Sequence, residues 1–155
     1  MKPVVEPNRR LLLSIHPKYV EKILSGEKTI ELRRRAPRLA AGSPLLIYAT
    51  VPVKSLVAVS WIEKIVTGPL VLLWQRVRDE AAVSREDFNA YFTGTETGAG
   101  ICVKNVTRLS SPLPLDELRD RLPGFHPPQS FRYLTDDEVE SLDIRELRVR
   151  RRIAG

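Results

Sequence analysis

The chain has 155 residues, 43% of them hydrophobic and 28% charged, a length and balance that suit one domain with its own core. No apolar run approaches the ~18 residues of a membrane span, residues 1–10 lack the apolar stretch of a secretory leader, and Cys102 is the only cysteine, so no internal disulfide can form; a cytoplasmic protein without membrane contact is expected. The net charge of +6 is lopsided, with 12 Lys+Arg against 5 Asp+Glu in residues 1–64 and 13 against 14 in residues 65–155, which points to an anionic partner, nucleic acid first, against the plainer reading of a solvated basic face.

In chain order, Leu11-Leu12-Leu13-Ser14-Ile15 reads as a buried strand. Pro17 suits the first turn of a helix whose apolar face is Tyr19, Val20, Ile23 and Leu24, and Gly26 stands where a C-terminal cap belongs. Lys28 to Arg34 alternates as a strand, with Ile30 and Leu32 on one face and Thr29, Glu31 and Arg33 on the other. Strict alternation puts Lys28 on the Ile30 side, although the pleat is a weak guide at a strand's first residue. After the turn at Ala41-Gly42-Ser43-Pro44, strands are expected from Leu45 to Thr50 and from Ser55 to Val66, with Pro52 between them and Gly68-Pro69 as a stop.

Leu70 to Arg78 suggests a helix. Ser84-Arg85-Glu86-Asp87 resembles a helix cap, with the helix running to about Phe92. Thr93 to Gly100 reads as a mobile glycine-rich loop, and Ile101 to Leu109 as a strand. Leu115 to Leu122 is a short helix, Pro123 to Pro128 is irregular, and Thr135-Asp136-Asp137-Glu138 opens a last helix to about Leu142. The tail from Ile144 to Ile153 is a strand or an arginine-rich helix. Trp61 and Trp74 are expected in the core. About five strands with short, irregular crossovers fit a small mixed sheet curled into a barrel rather than a doubly wound parallel sheet.

Much chemistry is missing. His16 and His126 stand far apart and, with one cysteine, offer no metal-ligand spacing. There is no phosphate-binding Gly-x-x-x-x-Gly-Lys-Ser/Thr loop and no Gly-x-Ser-x-Gly elbow. No metal or cofactor is expected.

Ser14-Ile15-x-Pro17-x-Tyr19-x-x-x-Ile23-x-x-Gly26-x-Lys28-x-x-Glu31-x-Arg33 resembles the opening of the ASCH domain family, whose signature is the Gly-x-Lys-x-x-Glu-x-Arg core. The strand ending Tyr48-Ala49-Thr50 and the strand from Val57 to Trp61 match the family layout. The resemblance covers roughly residues 11–109 of a single 1–155 domain, with 110–155 as a helical, arginine-rich extension. It implies an α+β, PUA-like fold: a small mixed β-barrel of about five to six strands with flanking helices and a cleft beside it. It also implies binding of RNA or a nucleotide, with DNA as a further possibility and a role in regulating transcription or RNA metabolism. The alternative is a hydrolase, either a ribonuclease or an amidohydrolase acting on a modified nucleoside, that uses Lys28 and Glu31. In the amidohydrolase members a threonine stands where this chain has Glu31, and an acidic residue, here Asp79 or Glu80, completes the site. A Lys28–Glu31 ion pair would favour the charged amine, which argues for binding over catalysis.

The site expected from this resemblance has Lys28, Glu31 and Arg33 at its centre. Glu31 accepts from a base amino group such as that of cytosine. Arg34, Arg35 and Arg38 meet phosphates or merely solvent. Tyr48, with Thr50 beside it, is expected to border the cleft, either as a half-buried aromatic or stacked on a base, and Arg132 with Tyr133 either packs structurally or forms a second wall. For the central three the competing reading is an exposed ion pair worth about 0–1 kcal/mol.

Overall fold

A computed structural model describes residues 9–148. Its elements in order are β1 (Arg10–Ile15), α1 (Pro17–Ser25), β2 (Ile30–Arg33), β3 (Pro44–Ala49), β4 (Ser55–Pro69), α2 (Leu70–Val77), α3 (Arg85–Tyr91), β5 (Thr97–Pro114), α4 (Leu115–Arg121), β6 (Phe131–Leu134) and α5 (Asp136–Leu142). Residues 145–148 are helical; the remainder of the arginine-rich tail lies outside the described residues.

The six strands form one mixed sheet in the order β2-β5-β4-β3-β1-β6. Only β1 and β3 run parallel, Leu11 opposite Leu45 through Ile15 opposite Ala49; every other neighbour is antiparallel. Long β4 and β5 shift register between Leu56 and Ala58, Val59 and Trp61, and Ile62 and Lys64, and such bulges bend and twist a strand. The sheet therefore curls into a half-barrel. Arg33 on β2 donates through Nη2 to the Ser14 carbonyl on β1 at 2.9 Å, although three strands separate β2 from β1 in the sheet.

Three apolar clusters follow from the alternation. Leu11, Leu13, Ile15, Ile47 and Ala49 pack with Val20 and Ile23 of α1 on one face. Leu12, Leu46, Tyr48, Leu56 and Trp61 pack with α4, Phe125 and α5 on the other. Ile30, Leu32 and Val66 meet α2 and α3 through Leu73, Val77, Phe88 and Phe92. Trp61 is a core residue as expected, and Trp74 is half-buried edge-on to Phe88.

Pro17 opens α1, and Gly26 ends it in the left-handed region at φ 85°, as expected. The α5 cap is a full capping box between Thr135 and Glu138.

Two expectations fail. The glycine-rich segment is no mobile loop from Thr97 on, because 97–100 is the start of β5 and Gly98 and Gly100 are buried. A Cβ on Gly98 would lie 2.4 Å from the Phe92 ring, and one on Gly100 would lie 2.9 Å from Ile30. These glycines permit close packing instead of marking a flexible turn. The segment at 131–134, for which no strand was expected, is an edge strand pairing with Arg10–Leu13. Four residues are too short a run for their alternation to announce a strand.

Candidate functional site

The charged motif begins outside the ladder. The Lys28 amide donates to the Lys22 carbonyl at 3.0 Å, while the amides of Thr29 and Ile30 donate to the Glu80 carbonyl at 2.9 and 3.2 Å. Lys28 thus precedes β2 and escapes its pleat. Its side chain turns to the same cleft as Glu31 and Arg33, not to the Ile30 side.

All three are buried: Lys28 is 1% exposed, Glu31 6% and Arg33 7%. The exposed ion-pair reading is therefore wrong. Arg33 pairs with Glu31, Nη1 to Oε1 at 3.1 Å, and is anchored further on the carbonyls of Leu32 and Ser14. Lys28 does not make that pair. Its Nζ donates to the Ala81 carbonyl and lies 5.1 Å from the centre of the Tyr19 ring. Burial pushes the Lys28 amine below its usual pKa; the Glu31 carboxylate opposes this, and the charges of Arg33 and Lys22 add to it. The expectation that Glu31 keeps Lys28 firmly charged is corrected: desolvation outweighs the carboxylate.

The cleft holds about 180 Å³. Ile15, His16 and Tyr19 form one wall; Val83, Asp87, Phe88 and Tyr91 form another, with Leu32 on the β2 side. His16 caps α1 through Nδ1, which accepts from the Lys18 amide at 3.2 Å. Two polar atoms of the motif, Glu31 Oε2 and Arg33 Nε, are buried without a partner. Buried polar atoms in native proteins are nearly always satisfied, so two unpartnered ones on residues that line a cleft mark it as a candidate site.

The other expected residues divide. Arg34 sits at the rim, its Nε donating to the Tyr91 carbonyl at 2.9 Å and its guanidinium 5.2 Å from that ring's centre. Arg35 and Arg38 are exposed, and the Arg38 amide donates to the Tyr133 hydroxyl at 2.8 Å.

Tyr48 does not border this cleft. It is 2% exposed, belongs to the cluster on the opposite sheet face, and stands edge-on to Phe125, so its ring is closed to a base here. Thr50 is half-buried, with its amide tied to the Ile15 carbonyl. Arg132 pairs with Glu138 and covers Phe125, and Tyr133 lies under Arg9 and edge-on to Phe131; neither lines the cleft. Asp79 and Glu80 are exposed, and the acidic residue that joins Glu31 in lining the cleft is Asp87 in the first turn of α3.

Sequence reasoning missed the aromatic walls. Tyr19 was counted in the apolar face of α1 and Tyr91 passed over within α3; each polar-tipped aromatic was the available signal. A second depression of about 700 Å³ lies between Trp61 and α5. Its charged lining includes the pairs Arg10–Asp136 and Arg148–Asp143, and neither of the motif's open atoms faces it. Among the described residues, no helix is long and apolar enough to cross a membrane.

A family model described as the ASCH domain matches residues 13–110. A protein of Zymomonas mobilis named "ASCH domain-containing ribonuclease" is 36% identical over 137 residues, spanning 88% of this chain and 92% of its own. The crystal structure of ASCH from Zymomonas mobilis superposes with a TM-score of 0.81 at 36% identity, covering 86% of this chain and 93% of that one. A human THYN1 protein, solved in complex with DNA containing 5-methylcytosine, shares the fold at a TM-score of 0.57 and 13% identity, over 86% of this chain and 95% of that one.

Proposed function

The chain belongs to the ASCH domain family, and on that premise we propose that it binds RNA, taking one unpaired base into the cleft of Lys28, Glu31 and Arg33. The observation that carries this reading is a pair of buried, unpartnered polar atoms, Glu31 Oε2 and Arg33 Nε, on residues that line an aromatic-walled cleft. At about 180 Å³ the cleft is smaller than the ~300–1,000 Å³ typical of drug-sized ligands, and a single planar ring suits it. Tyr19 and Tyr91 supply faces or edges for such a ring, and Arg34 at the rim, with exposed Arg35 next to it in the chain, suits the flanking phosphates. The ribonuclease name of the Zymomonas relative favours RNA over DNA as the polymer.

Titration of labelled single-stranded RNA at several salt concentrations tests this. Affinity that falls steeply as salt rises is expected; undetectable binding at low salt defeats the proposal.

A second reading, cleavage of RNA, draws on the Lys28 amine. Held below its usual pKa, it offers a neutral base for a hydroxyl proton nearer to neutral pH than a solvated lysine does. Incubation of RNA with the protein and with Lys28→Ala tests this, and cleavage that survives the substitution removes Lys28 from the chemistry.

A further inference from the structure

The polar lining of the cleft divides into a buried and an exposed set. Lys28, Glu31 and Arg33 are buried and Tyr19 is half-buried, whereas His16, Asp87 and Tyr91 are exposed. A strand arriving at the mouth meets the exposed set first.

Within that set, the His16 ring is held by the backbone. His16 is the N-cap of α1, a position that Ser, Thr, Asp and Asn favour. Its Nδ1 accepts from the Lys18 amide at 3.2 Å. A nitrogen that accepts carries no proton, so the neutral ring holds its proton on Nε2. Pro17 has no amide, and the Tyr19 and Val20 amides both donate to the His16 carbonyl, at 2.9 and 3.1 Å. Residues 17–20 therefore offer the cleft no free amide, and the imidazole is the donor at that end of α1. Donation into Nδ1 also polarises the ring and strengthens Nε2–H as a donor.

The two walls differ in charge. On the α1 side Lys18 is exposed, its Nζ 4.9 Å from the centre of the Tyr19 ring. On the facing side Asp87 stands in the first turn of α3 beside Glu86. A phosphate is drawn to the first and repelled by the second.

Resting on the RNA-binding reading above, we propose that His16 is a phosphate-binding residue of the cleft. Its Nε2–H, a neutral donor, bonds a non-bridging oxygen of the phosphate that adjoins the base in the cleft. The backbone at that phosphate follows the α1 wall, beside Lys18 and away from Asp87. His16 positions the strand and reads no base, because a phosphate contact carries no sequence.

One substitution separates this role from capping. Asn carries its side-chain oxygen about where histidine carries Nδ1, so His16→Asn keeps a favoured cap and removes Nε2. His16→Ser, another favoured cap, is the second variant, with the same expectations. The full chain is titrated with labelled single-stranded oligo(U), oligo(C) and oligo(A) of about 12 nucleotides at several salt concentrations. The variants are expected to unfold at the wild-type urea midpoint and to bind every strand about 10-fold more weakly, the lower end for a hydrogen bond to a charged group. The slope of log affinity against log salt is expected to stay as it was, since a neutral donor displaces no counterion. Variants that bind as tightly as the wild type overturn the assignment and leave RNA binding standing. A loss that differs between the three strands, the mark of a base contact, does the same. So does a slope reduced by about 1, the mark of a charged imidazolium. Absence of binding of every strand to the wild-type protein overturns RNA binding itself, and this assignment with it.

Discussion

Glu31 and Arg33, two residues apart on one strand face, hold each other through Oε1 and Nη1 at 3.1 Å, each with 8% of its side chain exposed. Desolvating two charges costs several kcal/mol per ion, and one hydrogen-bonded contact barely offsets it. The pair therefore contributes little net stability. It fixes the direction of the two atoms left open, Oε2 and Nε.

Breaking the pair from one side leaves a buried carboxylate uncompensated. Arg33→Met is expected to lower unfolding stability by about 3–5 kcal/mol in urea titration, and the double change Glu31→Leu with Arg33→Met to recover a large part of it. A double variant as unstable as the single one would contradict this.

Lys28 gives stability a pH dependence of known sign. Burial sets its folded pKa below the unfolded value of 10.5, so the unfolded chain binds more protons between the two. Below the folded pKa the fold bears the cost of a buried charge. As pH rises through the folded pKa towards 10.5 that cost is relieved, and stability rises. The wild-type protein should therefore gain stability relative to Lys28→Met across that window, measured by chemical denaturation at stepped pH. A constant difference would mean that the amine stays charged in the fold.

Gly98 is a packing position. A Cβ there would stand 2.4 Å from Cε1 of Phe92, at the end of the helix that carries Phe88 and Tyr91 to the cleft. Gly98→Ala is expected to destabilise by about 1–3 kcal/mol through overpacking, read as a lower midpoint in thermal or urea unfolding. An unchanged midpoint would show that Phe92 yields freely.

The exposed arginines should act on affinity through charge alone. Arg35→Ala is expected to weaken RNA strands of different sequence alike and to reduce the slope of log affinity against log salt by about 1. An unchanged slope would remove Arg35 from the phosphate contacts.

The helix α1, its proline start and its glycine end were legible because each is a local rule: a fixed φ, a left-handed cap and an apolar stripe at helical spacing. The charged motif was legible as a cluster because Lys28, Glu31 and Arg33 lie within six residues. Tyr48 misled. Its place at the end of a strand was read correctly, but which face of β3 meets the cleft depends on how the sheet curls, and that face is the one carrying Ile47 and Ala49. The glycines at 98 and 100 misled in the other direction, since freedom and close approach look alike in a sequence.

The sequence by itself determined most of the elements, the family likeness and the membership of the charged trio, because spacing and residue chemistry are local properties. Only the tertiary structure decided which charges pair, which are desolvated and which atoms stay open. Those outcomes depend on the Ser14 and Ala81 carbonyls and on the walls from α1 and α3, which lie far from the motif along the chain. The physical reason is burial. In water Lys28 and Glu31 would neutralise each other cheaply, whereas in the folded cleft the arginine takes the carboxylate and the lysine is left with a carbonyl and a lowered pKa.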